Sequence, residues 1–260
     1  MSSVEYLALD FDGVVSDSIK ECLATAFNAF SRQQGDSVFR TDISQFSSEE
    51  IQTFERTRSF IRRGEDYVYL LKAAADEVTI KSQNDFDAFT SSHESLRSVY
   101  RELFYAQRQR LQTEYLEEWL ALNPLYPNLE TFLQRIHDPA CIFIVTTKDL
   151  VSVKLILNAH GIELGPDQLF QATKHYRKPQ ILNHILEMNQ IGSNQIIFID
   201  DHADTILEVS KNTDLRCYFA GWGYHSKDQL DQMLESHTQI LTSGEFVSKH
   251  MHLTTTDKQS

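Results

Sequence analysis

Short apolar runs that end in a charged or hydroxylated residue recur along this 260-residue chain and restrict its fold more than any other feature. Residues 4–9 lead into Asp10, residues 141–145 into Thr146, and residues 195–199 into Asp200, while residues 215–220 form a further run. Runs this short and continuous suit strands buried on both faces. Amphipathic stretches at residues 150–159, 181–188, 205–211 and 227–236 alternate with the later runs. Buried strands alternating with helices predict an α/β fold with a parallel sheet, and right-handed crossovers make it doubly wound. In such a sheet, functional side chains gather beyond the carboxyl ends of the strands.

Between the first run and Pro124 the texture is helical instead. Residues 19–30 carry apolar side chains at helical spacing. Ser47-Ser48-Glu49-Glu50 supplies a capping-type start for a helix running through Phe54, Phe60 and Ile61. Residues 93–122 hold the longest periodic pattern, with Leu96, Val99, Leu103, Leu111, Trp119 and Leu122 predicted on one face. Because the first strand belongs with the later ones, the helical segment is an insertion. The expected organisation is a core of residues 1–16 and 124–248, a helical domain of residues 17–123, and a frayed polar tail at residues 249–260. The long helix also offers a face for a homodimer.

A formal net charge of −13 argues against nucleic acid and anionic membrane surfaces as partners. No apolar run reaches membrane-spanning length. The opening MSSVEYLALD lacks a basic segment followed by a long apolar one, so it does not read as a signal peptide and the expected location is cytoplasmic. Cys22, Cys141 and Cys217 are far apart and odd in number, which fits reduced thiols rather than a disulfide framework. The histidines form no spaced pair that suggests zinc.

Asp10 and Asp12 are two apart and share a face in a regular strand, and Gly13 predicts a turn whose N–H groups could cradle an anion. Carboxylates converging from several strand ends repel one another unless a cation sits among them. A hard divalent ion with oxygen ligands, magnesium above all, answers that need. One carboxylate can attack phosphorus, and a second can protonate the leaving oxygen and later deprotonate water. Taken singly, each motif has a plain reading: Asp-x-Asp-Gly as a turn, Thr146 as a strand-end cap, Lys178 as a surface cation, His202 as an exposed loop residue. Their shared position after predicted strands favours one site.

Together these segments resemble a known family. Asp10-Phe11-Asp12-Gly13-Val14-Val15-Ser16-Asp17-Ser18 resembles the first signature of the haloacid dehalogenase-like phosphatase superfamily, and Ile142-Phe143-Ile144-Val145-Thr146 the second. Arg177-Lys178-Pro179 is similar to the third, and Phe198-Ile199-Asp200-Asp201-His202-Ala203-Asp204 to the fourth. Leu125-Tyr126-Pro127 and Gly221-Trp222-Gly223-Tyr224 resemble flanking segments of the phosphoglycolate phosphatase-like branch. The resemblance implies a Rossmann-like core with a helical cap inserted between the first two motifs. It implies Asp10 as nucleophile, Asp12 as general acid and base, Thr146 as a phosphate hydrogen-bond donor and Lys178 as the charge-neutralising cation. Mg2+ would be held by Asp10, the Asp12 backbone carbonyl and Asp200, with Asp204 orienting metal-bound water and Asp201 close by.

Gly13 and Thr147 are further candidates to touch the substrate. Val14 and Ile199 depart from the commoner Thr and Gly, and Lys174 competes with Lys178 for the third motif. The implied activity is magnesium-dependent hydrolysis of a small phosphorylated metabolite. A sugar-phosphate mutase and a catalytically silent binding module are the alternatives. In the insertion, Arg56, Arg58, Arg62 and Arg63 precede Glu65, Asp66 and Tyr67. Arg58 and Arg62, four apart, are expected on one helical face, either as a substrate-anion clamp or as a solvated, ion-paired surface.

Overall fold

The computed structural model describes residues 5–254, which divide into two compact units, residues 5–17 with 125–254, and Ser18–Pro124. The first unit carries six parallel strands: β1 Tyr6–Leu9, β2 Ile142–Thr146, β3 Leu169–Gln171, β4 Ile196–Asp200, β5 Arg216–Ala220 and β6 Gln239–Leu241. Their order is β3-β2-β1-β4-β5-β6, so the chain winds outward in both directions from β1 and the switch point lies between β1 and β4. Val4, the expected start of the first strand, lies outside the described residues. β3 and β6 go beyond the sequence expectation. Each has three residues, too few to show a strand period.

Burial explains why these strands read as unbroken apolar runs. Leu7 pairs with Ile142 and Ile197, and Ala8 with Phe143 and Phe198, so like-facing side chains line up across the sheet. One face, with Ala8, Phe143, Val145, Ile196 and Phe198, packs on Ile181, Leu182, Ile185, Ile206 and Val209 from the helices Lys178–Asn189 and Ala203–Asn212. The alternate residues Leu7, Leu9, Ile142, Ile144, Ile197 and Ile199 are buried equally completely, as a sheet covered on both sides requires. Of the segment expected to fray, residues 249–254 are described: Met251–Thr254 forms a 3-10 turn, and Leu253 O accepts from His137 N at 3.0 Å. Residues 255–260 lie outside the described residues. Among the described residues no helix is long and apolar enough to cross a membrane.

The second unit is helical: Ile19–Gln33, Ser48–Thr57, Gly64–Ala75, Gln83–Ser92, Arg97–Glu114 and Leu116–Ala121. The Ser47 capping box forms, with Ser47 Oγ accepting from Glu50 N at 3.2 Å and Glu50 Oε2 accepting from Ser47 N at 2.7 Å. That helix stops at Thr57, however, and continues as a 3-10 turn, Arg58–Phe60, before Ile61 becomes extended. Arg58 and Arg62 therefore do not share a helical face. Arg58 is buried beside the Tyr67 ring, 5.5 Å from its centroid, while Arg62 Nη1 donates to the Ser59 and Ile61 carbonyls at 2.9 and 3.2 Å.

Residues 93–122 also break, with a 3-10 turn at Glu94–Leu96 and an interruption at Tyr115. The buried stripe of Arg97–Glu114 is Tyr100, Phe104, Arg108 and Leu111, whereas Val99 is exposed. The aromatic rings decide the face: Tyr100 stands edge-on to Tyr69 at 4.9 Å, and Phe104 stacks on Tyr67 at 6.0 Å. Arg108 is drawn in by a wholly buried Glu21 on Ile19–Gln33. Its Nε and Nη2 donate to the two Glu21 oxygens at 2.9 and 2.8 Å. Thr25 Oγ1 and Trp119 Nε1 donate to Glu21 as well, at 2.7 and 3.2 Å.

A buried carboxylate stripped of its guanidinium is costly. Arg108→Met is expected to destabilise the protein by about 3–5 kcal/mol in urea unfolding. Adding Glu21→Gln should recover a large part, because the amide oxygen still accepts from Thr25 and Trp119. A loss below about 1 kcal/mol would place this pair with weak surface bridges.

Candidate active site

The crevice at the switch point is built from the ends of β1 and β4. Asp10 N–H donates to Ile199 O at 3.0 Å, which carries the strand pairing one residue past β1 and sets Asp10 beside Asp200. Lys178, the first residue of Lys178–Asn189, reaches between them: its Nζ lies 2.7 Å from Asp10 Oδ1 and 2.7 Å from Asp200 Oδ2. Pro179 follows it, and its fixed φ suits a helix start, so the lysine leaves a well-defined backbone position. Lys174, the competing candidate, is exposed. Burial works against the Lys178 charge, but the Asp10 and Asp200 carboxylates outweigh it and raise its pKa above the usual lysine range. Burial pushes Asp200 up to about 6, with Lys178 opposing the rise and the Asp10 charge adding to it. Asp200 Oδ1 also accepts from His202 N at 2.8 Å.

Asp201 turns to a different task. Its Oδ2 accepts from Tyr224 N at 2.6 Å in the turn after β5. Gly13, at φ +90°, lies against this carboxylate so closely that a Cβ there would sit 2.0 Å from Asp201 Oδ2. On the other side a Cβ on Gly223 would meet Asp201 Cβ at 2.3 Å and Gly13 O at 2.5 Å. The N–H of Gly13 donates to Ser16 O at 2.9 Å within its own loop. The glycine thus serves close approach, and its own N–H is committed within the loop. Trp222 Nε1 donates to Val14 O at 3.0 Å and Tyr224 OH to Asp17 Oδ1 at 2.5 Å, so the turn after β5 braces the whole loop after β1.

The end of β2 supplies the third wall. Thr146 is buried, and its Oγ1 accepts from Lys148 N at 3.1 Å; Thr147 is exposed. Lys148, which was given no role from the sequence, is buried and its Nζ lies 3.1 Å from Asp12 Oδ1. The sequence carried one signal for it, a cation two residues beyond a buried strand end. Asp204 is exposed in the first turn of Ala203–Asn212. Arg58 and Arg62 belong to the helical unit.

Asp10, Asp200 and Asp201 are all buried, and each offers a carboxylate oxygen within 4.8 Å of the others. Three carboxylates converge in a poorly solvated place, and every donor is a hard oxygen. That donor set fits a divalent cation of the magnesium type.

A family model described as haloacid dehalogenase-like hydrolase matches residues 4–207. The chain is 27% identical over 229 residues to a phosphoglycolate phosphatase of Vibrio cholerae serotype O1, covering 86% of this chain and 88% of that protein. Among solved structures, a haloacid dehalogenase-like family hydrolase from Streptococcus pneumoniae superposes with a TM-score of 0.57 at 15% identity, over 96% of this chain and 100% of that one. A predicted phosphoglycolate phosphatase from Haemophilus somnus superposes with a TM-score of 0.61 at 14% identity, over 96% and 99%. At these identities the structures share the fold.

The close approach at Gly13 is testable. Gly13→Ala combines a left-handed backbone with a steric overlap and is expected to cost about 2–4 kcal/mol in urea unfolding. Placing Asp201→Ala in the same background should recover part of that loss by removing the atom struck. A Gly13→Ala protein as stable as its parent would show that the approach imposes no constraint.

Proposed function

This chain belongs to the haloacid dehalogenase-like hydrolase family, and on that premise we propose that it hydrolyses a small phosphomonoester of the phosphoglycolate kind through an aspartyl-phosphate on Asp10. The observation that carries the reading is the Lys178 ammonium bridging Asp10 and Asp200 at the switch point, 2.7 Å from each. A buried lysine there holds the nucleophile in place and stands ready to neutralise charge on a transferring phosphoryl group. Magnesium, held by Asp10, the Asp12 carbonyl and Asp200, would supply further positive charge to the phosphate oxygens. Asp200 is favoured over Asp201 because Asp201 Oδ2 is committed to Tyr224 N.

In the first half of the reaction an Asp10 carboxylate oxygen attacks phosphorus. The bond from phosphorus to the leaving oxygen breaks, and that oxygen departs with its electron pair and takes the proton of Asp12. In the second half a water oxygen attacks the phosphorus of the aspartyl-phosphate while the Asp12 carboxylate takes the water proton. The Asp10 carboxylate leaves and inorganic phosphate is formed. The Thr146 hydroxyl, at the end of β2, is suited to donate to a phosphate oxygen. The acidic surface fits a small ligand drawn to a local cluster of cations rather than a polyanion.

Asp10→Asn is expected to lower magnesium-dependent hydrolysis of 2-phosphoglycolate and p-nitrophenyl phosphate by about 10³-fold or more, since the covalent step is lost. Equal rates in parent and variant would remove the nucleophile assignment. Magnesium ions should also raise the melting temperature of the parent protein, by an amount set by affinity and concentration, and raise that of Asp200→Asn much less. An equal rise in both would take Asp200 out of the ligand set.

A further inference from the structure

We propose that Lys148 is a positioning residue that aims the Asp12 carboxyl at the leaving-group oxygen, an inference that rests on the acid–base role given to Asp12 above. The two side chains differ sharply in exposure: none of the Lys148 side chain is accessible, against 17% of that of Asp12. An ammonium held that deep needs an anionic partner, and the Nζ to Oδ1 distance is 3.1 Å. The lysine is itself rigidly mounted. On one side Thr146 ends β2 and its hydroxyl accepts the Lys148 N–H at 3.1 Å. On the other, Asp149 caps the helix Leu150–Ala159, its Oδ1 accepting from Ser152 N at 2.8 Å. Backbone fixed on both flanks makes Nζ a defined point rather than the end of a mobile stem.

That point is needed because an aspartate carboxyl turns about two side-chain bonds. Asp12 must face the leaving oxygen in one half of the reaction and a water in the other. Lys148 holds one carboxyl oxygen and thereby sets the direction of the other. The bond survives both protonation states: a carboxylate oxygen accepts from the ammonium, and so does the carbonyl oxygen of the protonated acid. In the first half the proton passes from the Asp12 carboxyl to the departing oxygen, and the electron pair of the broken phosphorus–oxygen bond stays with that oxygen. Lys148 gains and loses nothing. Lys178 engages Asp10 and Asp200.

A role as direct phosphate ligand would make Lys148 matter equally for every phosphate ester, whereas aiming the acid makes it matter most when the leaving group is a poor one. The test compares kcat/KM, which reports the steps up to release of the alcohol, for p-nitrophenyl phosphate, phenyl phosphate and 2-phosphoglycolate. Lys148→Met should lower the phenyl phosphate and 2-phosphoglycolate values by about 10- to 100-fold and the p-nitrophenyl phosphate value by less than about threefold. This is a fraction of what a general acid contributes. Asp12→Asn should steepen the same dependence further. Ratios between substrates within one preparation are independent of the fraction folded, and Lys148→Gln provides a second reading. A uniform loss across the three esters in both Lys148 variants, with a steep dependence in Asp12→Asn, would overturn the proposal while leaving the acid assignment standing. A flat Asp12→Asn profile would overturn the acid assignment itself, and with it the role of Lys148.

Discussion

The ammonium of Lys178 between Asp10 and Asp200 is the interaction on which the site depends. Two carboxylates side by side in a poorly solvated crevice repel each other strongly, and each pays for the loss of water. A single buried cation in contact with both converts that repulsion into a bridge across three chain segments, with Lys178 lying 168 and 22 residues from its partners. Such a bridge is a poor source of stability on its own, because desolvation offsets much of the attraction. Its value is positional. Only the sheet order that sets β1 beside β4 lets the two acids share one lysine, so topology and chemistry select the same neighbourhood.

Around this bridge the fold adds a second support. Asp201 is clasped between Gly13 and Gly223 and tied to Tyr224 N, while Trp222 and Tyr224 bond the loop after β1 at Val14 and Asp17. The loop bearing Asp10 and Asp12 is therefore fixed from the far side by the turn after β5. Glycine at 13 and 223 follows from distance: any Cβ would collide with the Asp201 side chain. Preorganised geometry of this kind keeps reorganisation out of the reaction step.

Strand ends were legible because buried parallel strands leave an unbroken apolar signature, and Asp10, Thr146 and Asp200 mark where each run stops. β3 and β6 left no such mark, being three residues long. In the helical unit, Val99 and Leu103 misled because aliphatic spacing was weighed above the aromatic spacing of Tyr100 and Phe104, and because a charged Arg108 does not look like a core residue until Glu21 stands opposite. Arg58 and Arg62 are four apart in sequence, but a helix end intervenes, and no spacing rule reports that. Asp201 was read only as lying close to Asp200, the favoured metal ligand. Adjacent residues at a strand end point to opposite sides, and only the glycines facing Asp201 show which duty it has. Lys148 stayed hidden since its partner lies 136 residues away and a lone lysine in a loop usually faces solvent.

The pairing of acids with lysines resolves a difficulty that the motif itself poses. Asp10 and Asp12 are nearly adjacent and chemically alike, and the proposed reaction asks opposite tasks of them, one to attack as an anion and the other to give and take a proton. Nothing in the short motif separates them. The separation comes from elsewhere in the chain: a helix start delivers Lys178 to Asp10, and the turn after β2 delivers Lys148 to Asp12. Lys178 contacts Asp10 together with Asp200, and Lys148 contacts Asp12. Two like residues are thus set in different surroundings by the groups that hold them, one lysine following β2 and the other following β3.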